Sequence, residues 1–287
     1  MSDKNIGLIG LGLLGKALAQ RLIDGGYRVC GYDIDEGARE AAGSLGVAVL
    51  SSPEAVATCC TSILLSLPHS EVRSELLFGD SNWAASLTEG TLLLDTTTGR
   101  AEDLERDAER LRALDVYLID VCVLASSAQV GNKDAVLLVG DSEGRAVGYA
   151  PIIQCFARRI FYLGKPGDGC RMKLVANQVV GLHRLVLAEA LGLADHVGLD
   201  PEVTLAVLQS GLAASAVMAT KGRKMLDRDF EPVARVAQHA KDVDLILELG
   251  DQSGAKLPLS RLHQEILQGL IQDGFGGEDN SAVIRAF

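Results

Sequence analysis

Aromatic residues are scarce: six Phe, five Tyr and one Trp in 287 residues. The core is therefore expected to be aliphatic, as it is where helices cover a parallel sheet. Basic residues are also outnumbered, with 27 Lys and Arg against 38 Asp and Glu and a net charge of −11. No basic run stands out, which speaks against a nucleic-acid partner; the acidic balance itself says little about substrate. No apolar run reads as long and clean enough to cross a bilayer. The polar N-terminus enters a glycine-rich turn rather than the apolar region of a signal peptide. A cytoplasmic location without a membrane partner is the expectation. The six cysteines (Cys30, Cys59, Cys60, Cys122, Cys155, Cys170) contain no CxxC pair and no metal-ligand spacing. They read as free, mostly buried thiols, and no metal is expected. Repeats and low-complexity segments are missing too. The length suits one large or two medium domains with a full core.

What is present starts at residue 5. NIGLI reads as a short apolar strand, followed by G-L-G-L-L-G (Gly10, Leu11, Gly12, Leu13, Leu14, Gly15), a helical KALAQRLID, a Gly-Gly stop and the strand YRVCGYD ending in Asp33. Each part has a physical task. Gly10 allows the tight turn, Gly12 lets the backbone approach a pyrophosphate, and Gly15 lets helix and strand pack closely. The helix N-terminus offers unpaired N–H groups to phosphates, and Asp33 can accept from ribose hydroxyls. A glycine triplet alone is weak, but strand, turn, helix, strand and acid together specify a dinucleotide site. Asp33 would repel a 2′-phosphate, so NAD is expected. NADP is left open because Arg39, on the next helix, could offset that charge.

Further strand and helix units follow. TSILLSLP ends at Ser66, Leu67 and Pro68, and TLLLDTTTG ends at Asp95 and three threonines; both carboxyl ends fall where open α/β sheets bind ligands. Thr98 reads equally as a cofactor contact or as a helix cap. RAEDLERDAERLRALD is a charged helix with a solvated face. VYLIDVCVLAS and DAVLLVG read as strands, EGRAVGYAPIIQCFA as one helix, and RIFYLG as a closing strand. The fold class is α/β: a Rossmann-type doubly wound sheet over 1–164, then an all-helical domain over 165–287 for substrate and dimerisation. Residues 164–169 (GKPGDG) mark the boundary.

A long helix over 168–197 joins the two. Met172, Val175, Val179, Leu182, Leu185, Val186, Ala190 and Leu193 recur at helical period, which predicts burial on most sides. Lys173 and Asn177 break the pattern four residues apart, on one face. A lysine near a helix end usually snorkels, but a dinucleotide domain needs acid/base help from its neighbour, and this pair could provide it. His183, His196 and His263 read as core or surface residues, and His239 as a residue that could reach a site.

GLIGLGLLGKALAQRL resembles the N-terminal signature of the β-hydroxyacid dehydrogenase family, which includes 3-hydroxyisobutyrate, tartronate semialdehyde and 6-phosphogluconate dehydrogenases. G-x-G-x-x-x-K-L-V-A-N-Q at 167–178 is similar to that family's catalytic motif, HAKDVDLILELG at 239–250 to its Lys-Asp motif, and GGEDNSAVIRAF to its ending. SGLAASAV and MLDRDFEP look most like the tartronate semialdehyde (2-hydroxy-3-oxopropionate) reductases. The resemblance implies hydride transfer between a nicotinamide cofactor and a small 3-hydroxy acid or semialdehyde. It implies Lys173 as general acid/base, Asn177 as the amide that orients substrate, and Leu67, Pro68, Thr98 and Lys241 as cofactor contacts. Asp242 is left between an orienting and a capping role. The usual substrate loop D-A-P-V-S-G-G is departed from: Asp120 to Ser127 read DVCVLASS. Leu124 stands for the expected serine, with Ala125 and Ser126 for the glycines. Either Ser126 or Ser127 takes over the substrate carboxylate, or the substrate is more apolar at that end. An imine-reductase-like enzyme is the first alternative, favoured by the altered loop and opposed by Lys173. A non-catalytic dinucleotide-binding sensor is the second. An apolar helix that one small domain cannot cover predicts a homodimer or homotetramer.

Overall fold

The computed structural model describes residues 4–287, which divide into two compact units, one ending at Lys173 and the other running from Leu174 to Phe287. In the first, eight strands form one sheet in the order β3-β2-β1-β4-β5-β6-β7-β8. They are β1 (Asn5–Ile9), β2 (Arg28–Tyr32), β3 (Ala48–Val49), β4 (Ser62–Leu65), β5 (Leu92–Asp95), β6 (Tyr117–Leu124), β7 (Ala135–Gly140) and β8 (Ala157–Leu163). Strands β1 to β6 run parallel. Helices α1 (Leu13–Asp24), α2 (Glu36–Ser44), α3 (Pro53–Cys59), α4 (Ser70–Phe78) and α5 (Ala101–Arg112) make the crossovers. The inner strands β4 and β5 are buried on both faces, so they read as unbroken apolar runs. In β4, Leu64 enters the core under α1 with Leu18 and Leu22, while Ile63 and Leu65 point the other way to Trp83 and Leu104.

The last part of this unit departs from a simple doubly wound pattern. β7 pairs antiparallel to β6, and β8 runs parallel to β7. Only residues 125–134 connect β6 to β7, with α6 (Ser127–Gly131) inside them. A parallel crossover needs about a dozen residues or more, so the chain turns back instead. EGRAVGYAPIIQCFA is not one helix. It forms α7 (Arg145–Gly148) and α8 (Ala150–Ile153), interrupted at Tyr149 with Pro151 in the second.

The second unit is helical: most of α9 (Asp168–His196), then α10 (Pro201–Ser210), a π-turn at Met218–Gly222, α11 (Arg223–Leu226), α12 (Val236–Ser253) and α13 (Pro258–Gln272). Its core holds Leu187, Ala188, Leu191, Met225, Val243, Leu267 and Val283. The expectation that α9 is buried on most sides is corrected. Leu185 is buried, but Met172, Val175, Val179, Val186 and Leu193 are exposed. The helix shows two apolar faces, and its own unit covers one. By length and composition α9 would also qualify as a membrane-crossing helix, contrary to the sequence reading. Its buried side packs into a core and carries Arg184.

That core also contains two neutral histidines. His239 on α12 and His263 on α13 have ring centroids 5.1 Å apart, and both are buried. Burial, then the Arg184 charge, pulls His263 down to about 4. Burial, Arg184 and His263 hold His239 well below the usual range. A depressed histidine contributes stability above its unfolded value near 6.5, and this is lost as pH falls through the folded value. Unfolding free energy should drop by on the order of 3 kcal/mol between pH 6.5 and 4 through His263 alone. Urea melts across that range should show a shallower fall for His263→Leu than for the wild type; parallel curves would reject the assignment.

Candidate functional site

The glycine turn sits where the strand order reverses, between β1 and β4. Gly10 has φ +95°, and a Cβ there would lie 2.2 Å from the Ser66 carbonyl oxygen. A Cβ on Gly15 would lie 2.0 Å from the Gly10 carbonyl oxygen. These two glycines are needed for close approach, whereas a Cβ on Gly12 would meet nothing within 4 Å. Gly12 is the N-cap of α1, with no side chain capping its first-turn N–H groups. Open space above uncapped helix N–H groups fits a pyrophosphate. Leu11 is buried, Leu13 exposed and Leu14 packed against the core.

At the end of β2, the Asp33 carboxylate accepts from Leu11 N–H (2.6 Å) and Asp35 N–H (2.9 Å). It is thereby fixed beside the glycine turn. Arg39 donates to the carbonyls of Asp33 (2.7 Å) and Ile34 (3.1 Å). The arginine thus reaches the carboxyl end of β2 from α2.

The carboxyl ends of β4 and β5 are tied together. Leu67 N–H donates to Thr97 Oγ1 (3.3 Å), and Thr96 Oγ1 donates to the Leu65 carbonyl (2.8 Å). Beneath them, buried Arg73 bridges Asp95 (2.7 Å) and Asp107 (3.1 Å), and Asp95 also accepts from Thr97 N–H. Leu67, Pro68 and Thr98 therefore stand on one rigid edge. Thr98 does not cap α5, whose N-cap is Arg100 without a side-chain bond.

Lys173 lies in the second turn of α9, and its Nζ donates to the Val123 carbonyl near the end of β6. Because β1 to β6 are parallel, this end shares the sheet edge with the glycine turn. One buried carboxylate sets the placement. Asp120 Oδ1 accepts from Gly167 N–H (3.0 Å) and Oδ2 from Cys170 N–H (2.8 Å). The glycines around it leave room for those oxygens: a Cβ on Gly140 would lie 2.2 Å from Oδ1, and one on Gly169 2.5 Å from Oδ2. Gly167 has φ +98°. Burial pushes Asp120 up to about 6, against the Gly167 and Cys170 N–H groups that favour its charged form. Sequence reasoning took Asp120 only as part of a loop motif. The signal was the Gly167 and Gly169 pair: Gly169 leaves room for the carboxylate, and Gly167, at positive φ, turns its N–H onto it.

The cysteine reading also changes. Of the six, only Cys60, Cys122 and Cys170 are buried. Cys122 and Cys170 have Sγ atoms 3.7 Å apart, and with Asp120 they form a group whose ligand atoms lie within 4.8 Å of one another. Residues without metal spacing in the sequence thus meet in space. Asp120 spends both oxygens on backbone N–H groups, so the carboxylate acts as an anchor there.

The altered loop after β6 folds into α6. Ser126 is its N-cap: Ser126 Oγ accepts from Gln129 N–H (3.3 Å), and Gln129 Oε1 accepts from Ser126 N–H (3.0 Å). Leu124, Ala125 and Ser127 are half-buried.

In the second unit, Asn177 Nδ2 donates to Asp242 Oδ2 on α12 (3.1 Å). A carboxylate only accepts, so this bond turns the Asn177 carbonyl oxygen away from Asp242. Lys241 is exposed on the same helix. A cavity of about 460 Å³ lies at the opposite edge of the sheet, near Tyr117, Glu143 and Lys165. Its cations are paired, Arg145 and Arg112 with Glu143 and Lys165 with Glu105, and it shares nothing with the glycine turn.

Comparison with known proteins agrees with the fold. Residues 5–164 match the family model for the NAD binding domain of 6-phosphogluconate dehydrogenase, and residues 167–287 match that for NAD-binding of NADP-dependent 3-hydroxyisobutyrate dehydrogenase. The chain is similar to L-threonate dehydrogenase of Cupriavidus necator, at 27% identity over 99% of this chain and 96% of the relative. It is also similar to 2-hydroxy-3-oxopropionate reductase of Escherichia coli K12, at 26% identity over 98% and 96%. A solved 3-hydroxyisobutyrate dehydrogenase from Salmonella typhimurium superposes with a TM-score of 0.89 over 99% of both chains, at 22% identity.

If the Asp120 anchor sets the start of α9, Gly169→Ala should cost about 1–3 kcal/mol by overpacking and lower turnover with it. Gly131→Ala, whose Cβ meets nothing within 4 Å, is the matched control. Thermal melts of the two would differ; equal melting temperatures would count against the anchor.

Proposed function

We propose, from the chain's membership of the 3-hydroxyisobutyrate dehydrogenase-like family of β-hydroxyacid dehydrogenases, that Lys173 is its general acid and base and Asn177 its substrate-orienting amide. The protein is an NAD(P)-dependent oxidoreductase acting on small hydroxy acids or their semialdehydes. The observation that carries the Lys173 assignment is its position: Nζ at the Val123 carbonyl, on the sheet edge that bears the glycine turn.

The nicotinamide cofactor, when bound, supplies or accepts the hydride. Gly10, Gly12 and Gly15 with the start of α1 would hold its pyrophosphate, Asp33 the adenosine ribose, and Leu67, Pro68, Thr98 and Lys241 the nicotinamide half. Asp33 favours NAD, and Arg39 leaves NADP compatible. During reduction the Lys173 ammonium donates a proton to the substrate carbonyl oxygen; during oxidation its amine accepts the hydroxyl proton. The Val123 carbonyl accepts from Nζ and fixes the lysine's direction. Asn177, held by Asp242, presents its carbonyl oxygen to the substrate hydroxyl. Of the two serines expected at the carboxylate, Ser126 has its hydroxyl committed to Gln129, so Ser127 is the better candidate. The apolar Leu124 favours a substrate with an apolar group at that end, the feature an imine-reductase-like reading would also use.

NADH and NADPH consumption with tartronate and succinate semialdehydes, and NAD reduction with L-threonate, test the activity. Lys173→Ala should lower turnover by about 10²–10⁴-fold while cofactor affinity stays unchanged. An equally active Lys173→Ala enzyme would overturn the assignment.

A homodimer or homotetramer in the cytoplasm completes the reading. Its support is the apolar groove of about 490 Å³ between the end of α9 and α10, where Leu193, Val197, Val203 and Val207 are each more than 60% exposed. Exposed apolar patches of this kind mark interaction surfaces. Light scattering at micromolar concentration should give a dimer or larger species, and Leu193→Glu with Val203→Glu should shift it toward monomer. A monomeric wild-type protein would reject this part.

A further inference from the structure

Asn177, Gly181 and Arg184 follow one another at four and three residues, so they form one stripe along α9. This stripe faces α12. A Cβ on Gly181 would lie 2.4 Å from His239 Nε2 and 2.9 Å from His263 Cε1, so the two helices meet closely there. His239 is one turn before Asp242, which accepts the Asn177 amide (3.1 Å). Arg184 closes the stripe. It is buried, with 3% of its surface exposed, and its Nε and Nη2 have no hydrogen-bond partner. Asn177 stands two turns back on the same stripe, about 10 Å along the axis, and Gly181 lies between them on the face that meets α12.

A buried guanidinium without matching partners is unfavourable, and apolar replacements of similar volume are often neutral or stabilising. Its charge must then serve something other than stability. Two carboxylates act on it, those of Asp279 and Asp242. Asp279 is already saturated: Lys221 Nζ reaches both oxygens (2.8 and 2.9 Å), and the N–H groups of Val233, Ala234 and Ser281 fill the rest. The two histidines beside Arg184 are neutral at pH 7, as described above. Burial pulls the guanidinium down to about 10, where it still carries its charge at neutral pH.

We propose that Arg184 is a positioning residue: a buried cation that orients the Asp242 carboxylate so that Asp242 fixes the Asn177 amide with its carbonyl oxygen toward the substrate. Arg184 touches neither substrate nor cofactor. It acts through Asp242, one helix layer behind the reacting atoms. The proposal rests on the role given to Asn177 above and extends the constellation inward.

The test uses the full-length enzyme with Arg184→Met, which removes charge and keeps volume, and Arg184→Lys, which keeps charge. Arg184→Gln replaces the methionine variant if that variant does not fold. Turnover should fall about tenfold or more in Arg184→Met, with the cofactor KM and the melting temperature unchanged or the latter raised, and Arg184→Lys should recover most of the loss. In the double variant with Asn177→Ala the two losses should not multiply, because both act on one amide. Turnover within twofold of wild type, or losses that multiply, would overturn the proposal. Crystal structures of wild type and Arg184→Met add a readout independent of activity: the Asn177 to Asp242 bond should be lost or its amide turned in the variant. If the wild type proves inactive on every hydroxy acid and semialdehyde, the functional reading fails, and this bond alone decides the Arg184 proposal. Its loss upholds the coupling, and its survival refutes it.

Discussion

The start of α9 hangs on the Asp120 carboxylate. Two backbone N–H groups, from Gly167 and Cys170, close on its two oxygens, and these bonds join β6 to the first turn of the helix. Lys173 follows Cys170 by three residues, so the anchor fixes the height and rotation at which the lysine meets the Val123 carbonyl. The arrangement is demanding. The carboxylate is fully buried, and desolvation raises it to about 6 even with two charge-assisted bonds. Burying a charge is tolerated when its oxygens are satisfied, and here Gly140 and Gly169 provide the space while Gly167, at φ +98°, directs its N–H to the carboxylate. Three glycines and one acid, separated in sequence, thus solve a single problem of placing one amine.

Much of this was legible in the sequence, and the reasons differ from element to element. The parallel strands could be read because burial on both faces makes them continuous apolar runs, as in SILL and LLLD. The glycine turn could be read because Gly10 and Gly15 each admit no Cβ, so the local code is strict. Lys173 and Asn177 stood out because polar residues four apart interrupt an apolar helix. What stayed hidden depends on tertiary neighbours. The reversal of β7 follows from a short connection and leaves no mark in the strand itself. Periodicity found the stripe of Val175, Val179 and Val186 but not which side of α9 the protein covers. The three potential ligand atoms of Asp120, Cys122 and Cys170 come from β6 and α9, so no linear spacing announces them.

The helical unit shows a second kind of hidden order, a polar layer inside an aliphatic core. Arg184, His239, His263, Asp279, Asn280 and Ser281 are all buried. Side-chain atoms of Arg184, His239, His263, Asn280 and Ser281 have no protein partner. Such a layer costs stability relative to an apolar core. Its carboxylates divide the labour. Burial pushes Asp279 up, but the Lys221 ammonium and the N–H groups of Ser281 and Ala234 outweigh it and hold the acid well below its usual range. Asp279 thereby ties the C-terminal segment to the loop before α12, through Val233 and Ala234. Asp242 faces the other way, to Asn177. The acid two residues before Ser281, which reads in the sequence only as an ending, is thus a structural clasp.

Lys173 and the loop after β6 are held by different kinds of contact, and that separation explains how one can change without the other. Lys173 is held by a backbone carbonyl, at Val123, and by the Asp120 anchor below it. Neither contact depends on which side chain occupies position 124. Backbone acceptors survive substitution, so a leucine can replace a serine there while the lysine keeps its place. The residues after it do depend on side chains: Ser126 and Gln129 close a capping box that forms the short helix α6. Placing a capping serine at 126 commits that hydroxyl to the fold and leaves the neighbouring Ser127 outside the capping box. A loop built this way can change its own side chains without disturbing the contacts that hold Lys173.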